Sequence, residues 1–136
     1  MKLPAHVLYR KDLSLFLWKP HGVLDEAIVS EIVVFVGTAE ARSSKPFNRF
    51  ADMSALDAVD LNFKFVFDVA LHRRLAYAGN SAVKSAFYVT SPATIHYTKL
   101  HKLLNDYSAI NVRLFTELPE AAKWLDVPMK VLTIDS

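Results

Sequence analysis

The sequence predicts an α/β fold, a single three-layer domain over residues 1–136 in which a mixed, mainly parallel five-stranded sheet lies between about four helices. Three observations predict it. Strand-length apolar runs alternate with stretches of helical periodicity, which is typical of a parallel sheet with crossover helices. The first two runs are adjacent, as in an N-terminal hairpin. Hydrophobic residues make up 52% of the 136 residues, enough to bury a core of this size.

The first two strands are predicted over residues 6–10 and 14–19, with Lys11-Asp12 as the tight turn between them. The second run is apolar on both faces, as expected of a strand that is covered on both sides. Pro20-His21-Gly22 then interrupts the chain. Apolar residues at helical spacing predict the first helix over residues 24–42.

The later elements continue the alternation. In chain order, the sequence predicts a strand over 47–53, a loop over 54–59, a helix over 60–77 that stops at Gly79-Asn80, a strand over 83–90, a helix over 91–107, a strand over 111–115 and a helix over 119–125. Ser91 is the expected N-cap of the third helix, with Pro92 in its first turn. Residues 131–134 are expected to add a final edge strand or to lie over the surface.

Composition excludes several classes of function. With three glycines, the chain has neither a GxGxxG nor a GxxxxGK[ST] phosphate loop, so no nucleotide cofactor is predicted. The net charge of +2 is too small for a surface that binds nucleic acid. The absence of cysteine excludes disulfides and a zinc finger and favours a cytoplasmic location. The sequence has no apolar run near the ~18 residues of a membrane span, so none is expected.

Three motifs resemble the SpoIIAA-like group of small α/β domains, which are relatives of STAS domains. The first is an apolar strand followed by Pro20-His21-Gly22-Val23-Leu24 and a helix. The second is the strand end Phe50-Ala51-Asp52-Met53-Ser54-Ala55-Leu56. The third is Val112-Arg113-Leu114-Phe115 followed by Glu120-Ala121-Ala122-Lys123-Trp124-Leu125. In order and spacing, these motifs span most of residues 6–127.

The resemblance also shows where this chain departs from the family. STAS domains of the sigma-factor pathway carry a phosphorylated Ser or Thr in a D-S-S-G turn after the strand-end Asp. Here Asp60 matches the Asp of that turn, but Leu61-Asn62-Phe63 follows it. The phosphoacceptor is missing, so regulation by phosphorylation is not expected. The wider SpoIIAA/SEC14-like group is also linked to apolar ligands.

Five polar residues are candidates for a ligand or partner loop, because they lie in turns beside the predicted sheet: Asp52, Ser54, Asp57, Asp60 and His21. Ligands of open α/β sheets bind at the carboxyl ends of strands. The alternative is that these residues form turns and helix caps. An enzyme that uses this loop and His21 would require His21 to approach Asp52 within hydrogen-bond reach, either directly or through one water. No histidine has ligand spacing to the acids, so no metal is predicted.

The second helix is apolar around more than half of its circumference, more than one sheet contact requires. Neighbouring helices, a second copy of the chain, another protein, a ligand or the C-terminal tail would cover the excess. The interface candidates are Phe63, Val66, Phe67, Ala70 and Leu71.

The same helix ends in His72-Arg73-Arg74, which is either an anion-binding patch or a set of cations favoured by the helix C-terminus. On the third helix, His96 is expected to be a half-buried structural histidine.

These patterns predict a non-enzymatic binding domain that acts through protein–protein contacts, with a homodimer or an unidentified protein as partner. The alternative is a carrier of a small apolar, lipid-like ligand. In that case Trp18, Phe65 and Phe67 would line a cavity of a few hundred Å³ between the sheet and the helices.

Overall fold

The computed structural model describes residues 3–42, 46–76, 82–105 and 109–133. Its strands are β1 (Val7–Arg10), β2 (Leu15–Trp18), β3 (Gly22–Asp25), β4 (Asn48–Asp52), β5 (Leu56–Asp60), β6 (Val83–Tyr88) and β7 (Ile110–Phe115). Its helices are α1 (Glu26–Ala41), α2 (Phe63–Ala76), α3 (Pro92–Leu104) and α4 (Leu118–Leu125).

Five strands form the central sheet in the order β1-β2-β4-β6-β7. β1 pairs antiparallel with β2, and the other three pairings are parallel. The predicted hairpin is confirmed, and its turn is a short 3₁₀ helix, Lys11–Leu13, closed by Ser14 in the left-handed region at φ 49°. The mixed, mainly parallel five-stranded sheet predicted from the sequence is therefore present.

A second, two-stranded parallel sheet was not predicted. It pairs β3 with β5, and Leu24 lies opposite Val59. The sequence analysis was wrong here, since it began the first helix at residue 24 and made 54–59 a loop. Each strand is only four or five residues long, too short to show a strand period; β3 runs directly into α1, and Leu61 and Asn62 alone separate β5 from α2.

The helices α1, α2 and α3 each begin at a residue whose side chain caps the first turn. Asp25 accepts a hydrogen bond from Ile28 N (3.0 Å) at α1, and Asn62 Oδ1 accepts one from Phe65 N (2.8 Å) at α2. Ser91 forms a reciprocal capping box with Thr94 at α3, which confirms Ser91 as the predicted N-cap. Tyr77, Gly79, Asn80 and Tyr107, which the sequence analysis placed at the ends of α2 and α3, lie outside the described residues.

The two faces of the sheet bury different clusters. The first, here called the cavity face, packs against α1, α2 and α3, with Phe16, Val29, Val66 and Tyr97 among its buried residues. The second, here called the C-terminal face, packs against α4 and the 3₁₀ helix Met129–Leu132. β2 contributes Phe16 and Trp18 to one face and Leu15 and Leu17 to the other, as predicted for a strand covered on both sides.

The C-terminal segment does not form the edge strand that was one of its two predicted conformations. Residues Met129–Leu132 form a 3₁₀ helix, and Leu132 is completely buried in the cluster of the C-terminal face. Val131 N donates to Pro128 O and Thr133 N donates to Lys130 O, so these amides are engaged within the turn and do not pair with a strand. Among the described residues, no helix has the length and apolar character needed to cross a membrane.

Candidate functional site: a cavity with a charged end

A cavity of about 370 Å³ lies between the cavity face of the sheet and the helices α1, α2 and α3. Most of its wall is apolar and is formed by Phe16, Trp18, Val29, Ile32, Val33, Val36, Val69 and Phe87. A volume of this size is in the range of small-molecule sites. It is also far larger than the voids that well-packed interiors leave between side chains.

The cavity opens to solvent between the second halves of α1 and α2. Three residues of its wall, Gly37, Ala41 and His72, are exposed. The other lining residues are buried or half-buried. The cavity is therefore a pocket with a mouth, which a small molecule can enter without unfolding the sheet.

Charged and polar side chains occupy part of the wall and form what we call the polar cluster: Glu40, Arg49, Arg73, Tyr97 and His101. Arg49 on β4 makes an ion pair with Glu40 near the end of α1, and both side chains are more than nine-tenths buried. Glu40 also accepts a hydrogen bond from Phe47 N at 3.2 Å. A buried carboxylate and guanidinium remain charged when they pair in this way.

Arg73 reaches across the cavity from α2 to α3. Its Nη1 lies 2.7 Å from His101 Nε2. A guanidinium can only donate, so Nε2 is the acceptor and the neutral imidazole carries its proton on Nδ1. Within the described chain, Arg73 takes part in no ion pair, which distinguishes it from Arg49.

The surroundings of the polar cluster shift the pKa values of Arg73, Tyr97 and His101. Burial, together with the charges of Arg73 and Arg49, lowers the pKa of His101 well below its ordinary value. Burial raises the pKa of Tyr97 to about 12. Burial and the charge of Arg49 lower the pKa of Arg73 to about 9. At neutral pH the cluster therefore holds a neutral histidine, a protonated phenol and a charged Arg73.

The buried stripe of α3 is polar, which is unusual for a helix that covers a sheet. Thr94, Tyr97, Thr98, His101 and Asn105 follow one another at helical spacing, and all are buried. Asn105 Nδ2 donates to His101 O at 2.9 Å. Thr98 Oγ1 is buried and makes no hydrogen bond within the described residues. Buried polar groups of this kind normally have a partner.

The polar cluster lies toward the amino ends of the parallel strands. Arg49 is the second residue of β4, and Glu40, Arg73 and His101 lie in the last turns of the three helices that return to that edge. The sequence analysis placed the candidate loop at the opposite, carboxyl edge. The structure therefore brings together a different set of residues from the one that the sequence suggested.

Apart from His21, the residues predicted to form a ligand or partner loop either make a turn or lie exposed on the surface. Asp52 is buried at the end of β4, and its Oδ1 accepts a hydrogen bond from Ser54 N at 2.9 Å. Asp57 and Asp60 lie on β5 and are exposed. No group of three or more potential metal ligands occurs among the residues described.

His21 is also placed differently from the enzyme hypothesis. Its ring stacks on His6 with centroids 4.0 Å apart, and its Nε2 is buried with no hydrogen-bond partner in the described chain. No hydrogen bond joins it to Asp52, whose carboxylate bonds to Ser54 instead. A direct hydrogen bond between His21 and Asp52, one of the two arrangements that an enzyme at this loop would use, is therefore absent from the residues that the structure describes.

The interface candidates divide into two groups. Val66 and Ala70 are buried against the sheet, so their assignment to an exposed interface was wrong. Helical spacing explains the difference, because Val66, Ala70 and Arg73 share the inward side of α2. Phe63, Phe67 and Leu71 lie on the outward side and are exposed, Phe63 to 61%.

The anion-patch candidates also separate. Arg73 points into the cavity and is half-buried, whereas His72 is exposed at the mouth. The side chain of Arg74 lies outside the described residues. Phe65 is half-buried in the core cluster, and Phe67 is exposed; neither lines the cavity, although Trp18 does. His96 was predicted to be a half-buried structural histidine, and that prediction was wrong because His96 is exposed. The buried histidine of the same helix is His101.

The sequence analysis missed Glu40, Arg49, Tyr97 and His101. Two of these carry a recognisable signal. Arg49 lies between Phe47 and Ala51 in strict alternation, which places a charge on an apolar strand face. His101 continues the helical spacing of Thr94 and Tyr97 behind the Ser91 cap. No comparable pattern in the sequence indicates Glu40.

Comparison with known proteins identifies the fold. No protein-family model matches this sequence, and no curated protein matches it. One similar solved structure is that of an uncharacterised protein of the DUF3478 family, with a SpoIIAA-like fold, from Shewanella loihica PV-4. The two chains align with a TM-score of 0.56 over 92% of this chain and 98% of the other.

This chain has a SpoIIAA-like fold. The resemblance inferred from the motifs is thereby confirmed at the level of fold. The sequence identity is 16%, so the similarity extends to the architecture alone.

Proposed function

We propose that this SpoIIAA-like chain is a non-catalytic binding domain that holds a small, mainly apolar molecule in the cavity between its sheet and α1–α3. The observation that carries the proposal is the cavity itself, about 370 Å³ with a largely apolar wall and a mouth at Gly37, Ala41 and His72. An empty apolar space of this size costs stability, since its lining lacks packing partners. A bound molecule supplies those partners.

The geometry of the polar groups supports binding over catalysis. Among the described residues, the two polar regions that the sequence and the structure single out contain no nucleophile hydrogen-bonded to a base that a third group orients. His101 lies against Arg73, whose guanidinium can only donate hydrogen bonds. A cytoplasmic location remains a prediction from the sequence.

Tryptophan fluorescence tests the proposal. The chain has two tryptophans; Trp18 lines the cavity, and Trp124 packs against Phe115 on the C-terminal face. In a Trp124→Phe variant, emission reports on Trp18 alone. We expect titration with 1-octanol to change this emission with saturation. A linear, unsaturable response would contradict the proposal.

A matched pair of variants on α1 locates the binding. Val36 is 8% exposed and lines the cavity, whereas Val34 is 67% exposed on the same helix and does not line it. We expect Val36→Phe to fill the cavity and weaken 1-octanol binding at least ten-fold, with Val34→Phe binding as the parent does. Native mass spectra of protein purified from its host add a second test, since a co-purified cargo would appear as an adduct of a few hundred daltons.

A second candidate function is self-association through the outward side of α2. Phe63, Phe67 and Leu71 are exposed at successive helical turns, and Leu75 continues the row at 71% exposure. Apolar surfaces of this kind often mark protein contacts. If the chain is a homodimer through this row, a Phe63→Asp/Phe67→Asp variant will be monomeric by light scattering, whereas the control Lys64→Asp/Asp68→Lys will stay dimeric. A monomeric parent protein, or a dimer that survives the Phe changes, excludes this candidate.

A further inference from the structure

One positive charge in the wall of the cavity has no counter-ion in the described chain. Arg49 is neutralised by Glu40, with which it makes a buried ion pair. Arg73 takes part in no ion pair of the described residues, and its Nη1 donates instead to a neutral imidazole. The wall therefore carries a net charge of one, at a half-buried guanidinium.

Withdrawing this guanidinium from water costs free energy unless an opposite charge pairs with it. A guanidinium withdrawn from water loses hydration, and a neutral hydrogen-bond acceptor replaces only part of it. The fall in the pKa of Arg73 has burial as its largest cause and the repulsion from Arg49 as the next. The end of α2 helps to stabilise a cation through its dipole, but only by a fraction of what a counter-ion supplies.

The surroundings of Arg73 suit an anion better than a second cation or a neutral group. Tyr97 lines the cavity and brings a hydroxyl group to the inward side of α3, the helix that Arg73 reaches through His101. The pKa of Tyr97 is raised to about 12, so its hydroxyl is a donor at neutral pH. A guanidinium pairs with a carboxylate through two parallel hydrogen bonds.

We propose that the cavity takes a single-chain carboxylate, a fatty-acid-like molecule whose carboxylate pairs with Arg73 and whose apolar chain lies against Trp18, Val33 and Val36. This inference rests on the proposed function and adds the chemistry of the ligand's head group to it. One unpaired guanidinium matches one negative charge, which favours a carboxylate over a phosphate that carries close to two. The apolar wall accommodates the chain and excludes short, fully polar acids.

Octanoate and 1-octanol provide a direct test, because they share a chain and differ in the head group. Both are titrated at pH 7.5 into the Trp124→Phe protein, with Trp18 as the reporter. We expect octanoate to bind at least ten-fold more tightly than 1-octanol. Equal affinities would overturn the carboxylate assignment and leave the proposed function intact. Failure of both to bind would overturn the two proposals together.

Variants at Arg73 test the pairing itself. Arg73→Met removes the charge and retains length, and we expect it to abolish the preference for octanoate over 1-octanol. The control Lys99→Met removes a charge from the exposed side of α3, and it should keep the preference. Loss of the preference in both variants would point to overall charge and contradict a specific pairing.

Two further measurements keep the test decisive if Arg73→Met folds poorly. Arg73→Lys retains the charge and should retain a reduced preference for octanoate. Octyl phosphate compares the head groups in the unmodified cavity, and we expect it to bind more weakly than octanoate. Tighter binding of octyl phosphate would overturn the assignment to a carboxylate.

Discussion

The two faces of the central sheet are built from the same strands and differ in what they bury. On the C-terminal face, Leu15, Leu17 and Phe50 meet α4 and the final 3₁₀ helix in a cluster of buried apolar residues. On the cavity face, the neighbouring positions of the same strands include Arg49 and Ser85, and the helices enclose a cavity. One face is suited to holding the fold together and the other to holding a second molecule.

The cationic side chains of the two faces have different surroundings. On the C-terminal face, Lys84 and Arg113 lie over the ring of Trp124, each 5.4 Å from its centroid, and Lys84 Nζ donates to Trp124 O at 2.7 Å. These charges remain near solvent and contact an aromatic surface. On the cavity face the guanidinium groups turn inward. Lys84 and Arg113 therefore pack against an aromatic ring, whereas Arg49 and Arg73 line the cavity.

The largest expected difference between the faces is the cost of truncating a phenylalanine. Phe50 is completely buried in the C-terminal face, and we expect Phe50→Ala to lower the free energy of unfolding by about 3–5 kcal/mol. Both rings border the cavity, but Phe50 belongs to the cluster of the C-terminal face whereas Phe16 belongs to the cluster that surrounds the cavity, so we expect Phe16→Ala to cost less. Urea denaturation at pH 7.5 measures both, and equal losses would show that the cavity face is packed as tightly as the other.

The next effect concerns acid stability. Because the pKa of His101 is lowered in the folded chain, the unfolded chain takes up a proton first as the pH falls through about 6.5. The contribution of His101 to the free energy of unfolding is fully present above about pH 6.5. Below that pH the free energy of unfolding falls by up to about 1.4 kcal/mol per pH unit until the pKa of His101 in the folded chain is reached. We expect His101→Gln to lack this part of the slope.

The exposed His96 on the same helix is the matched control. His96→Gln should retain the slope of the parent protein, as measured by urea denaturation between pH 7.5 and pH 5. An identical pH dependence in His101→Gln and His96→Gln would mean that His101 does not contribute to acid sensitivity.

The smallest effect is expected at Gly37, inside α1 at the mouth of the cavity. A Cβ placed there has no atom within 4 Å, so alanine fits without a clash. We expect Gly37→Ala to raise the free energy of unfolding by about 0.5–1 kcal/mol through helix propensity. A loss of stability in thermal or urea denaturation would show that the glycine is required for packing at the mouth.

The order of the main elements could be predicted because it depends on local patterns. The apolar run of β2, the Ser91 cap and the short helix that ends at Leu125 are all visible within a few residues. β3 and β5 could not be found in this way, since each is stabilised by pairing with a strand more than thirty residues distant.

The candidate site was harder to predict for the same reason. Glu40, Arg49, Arg73 and His101 come from four separate elements, and only the packing of the helices brings them together. The sequence drew attention to Arg73 through its neighbours His72 and Arg74, and it suggested a surface patch. The inward direction of Arg73 follows from its spacing to Val66 and Ala70, a relation that becomes informative once the buried side of α2 is known.

The buried turn at Leu132 has a consequence for how the chain folds. The cluster that contains Leu132 also contains Leu15 and Leu17 of β2, so this face joins residues from opposite ends of the described chain. Contacts between residues so distant in sequence slow folding, because a long loop must close before they form. During synthesis, β2 leaves the ribosome long before the turn that covers it. The C-terminal face is therefore exposed to other chains until the turn at Leu132 emerges, and chaperone binding would matter most in that interval.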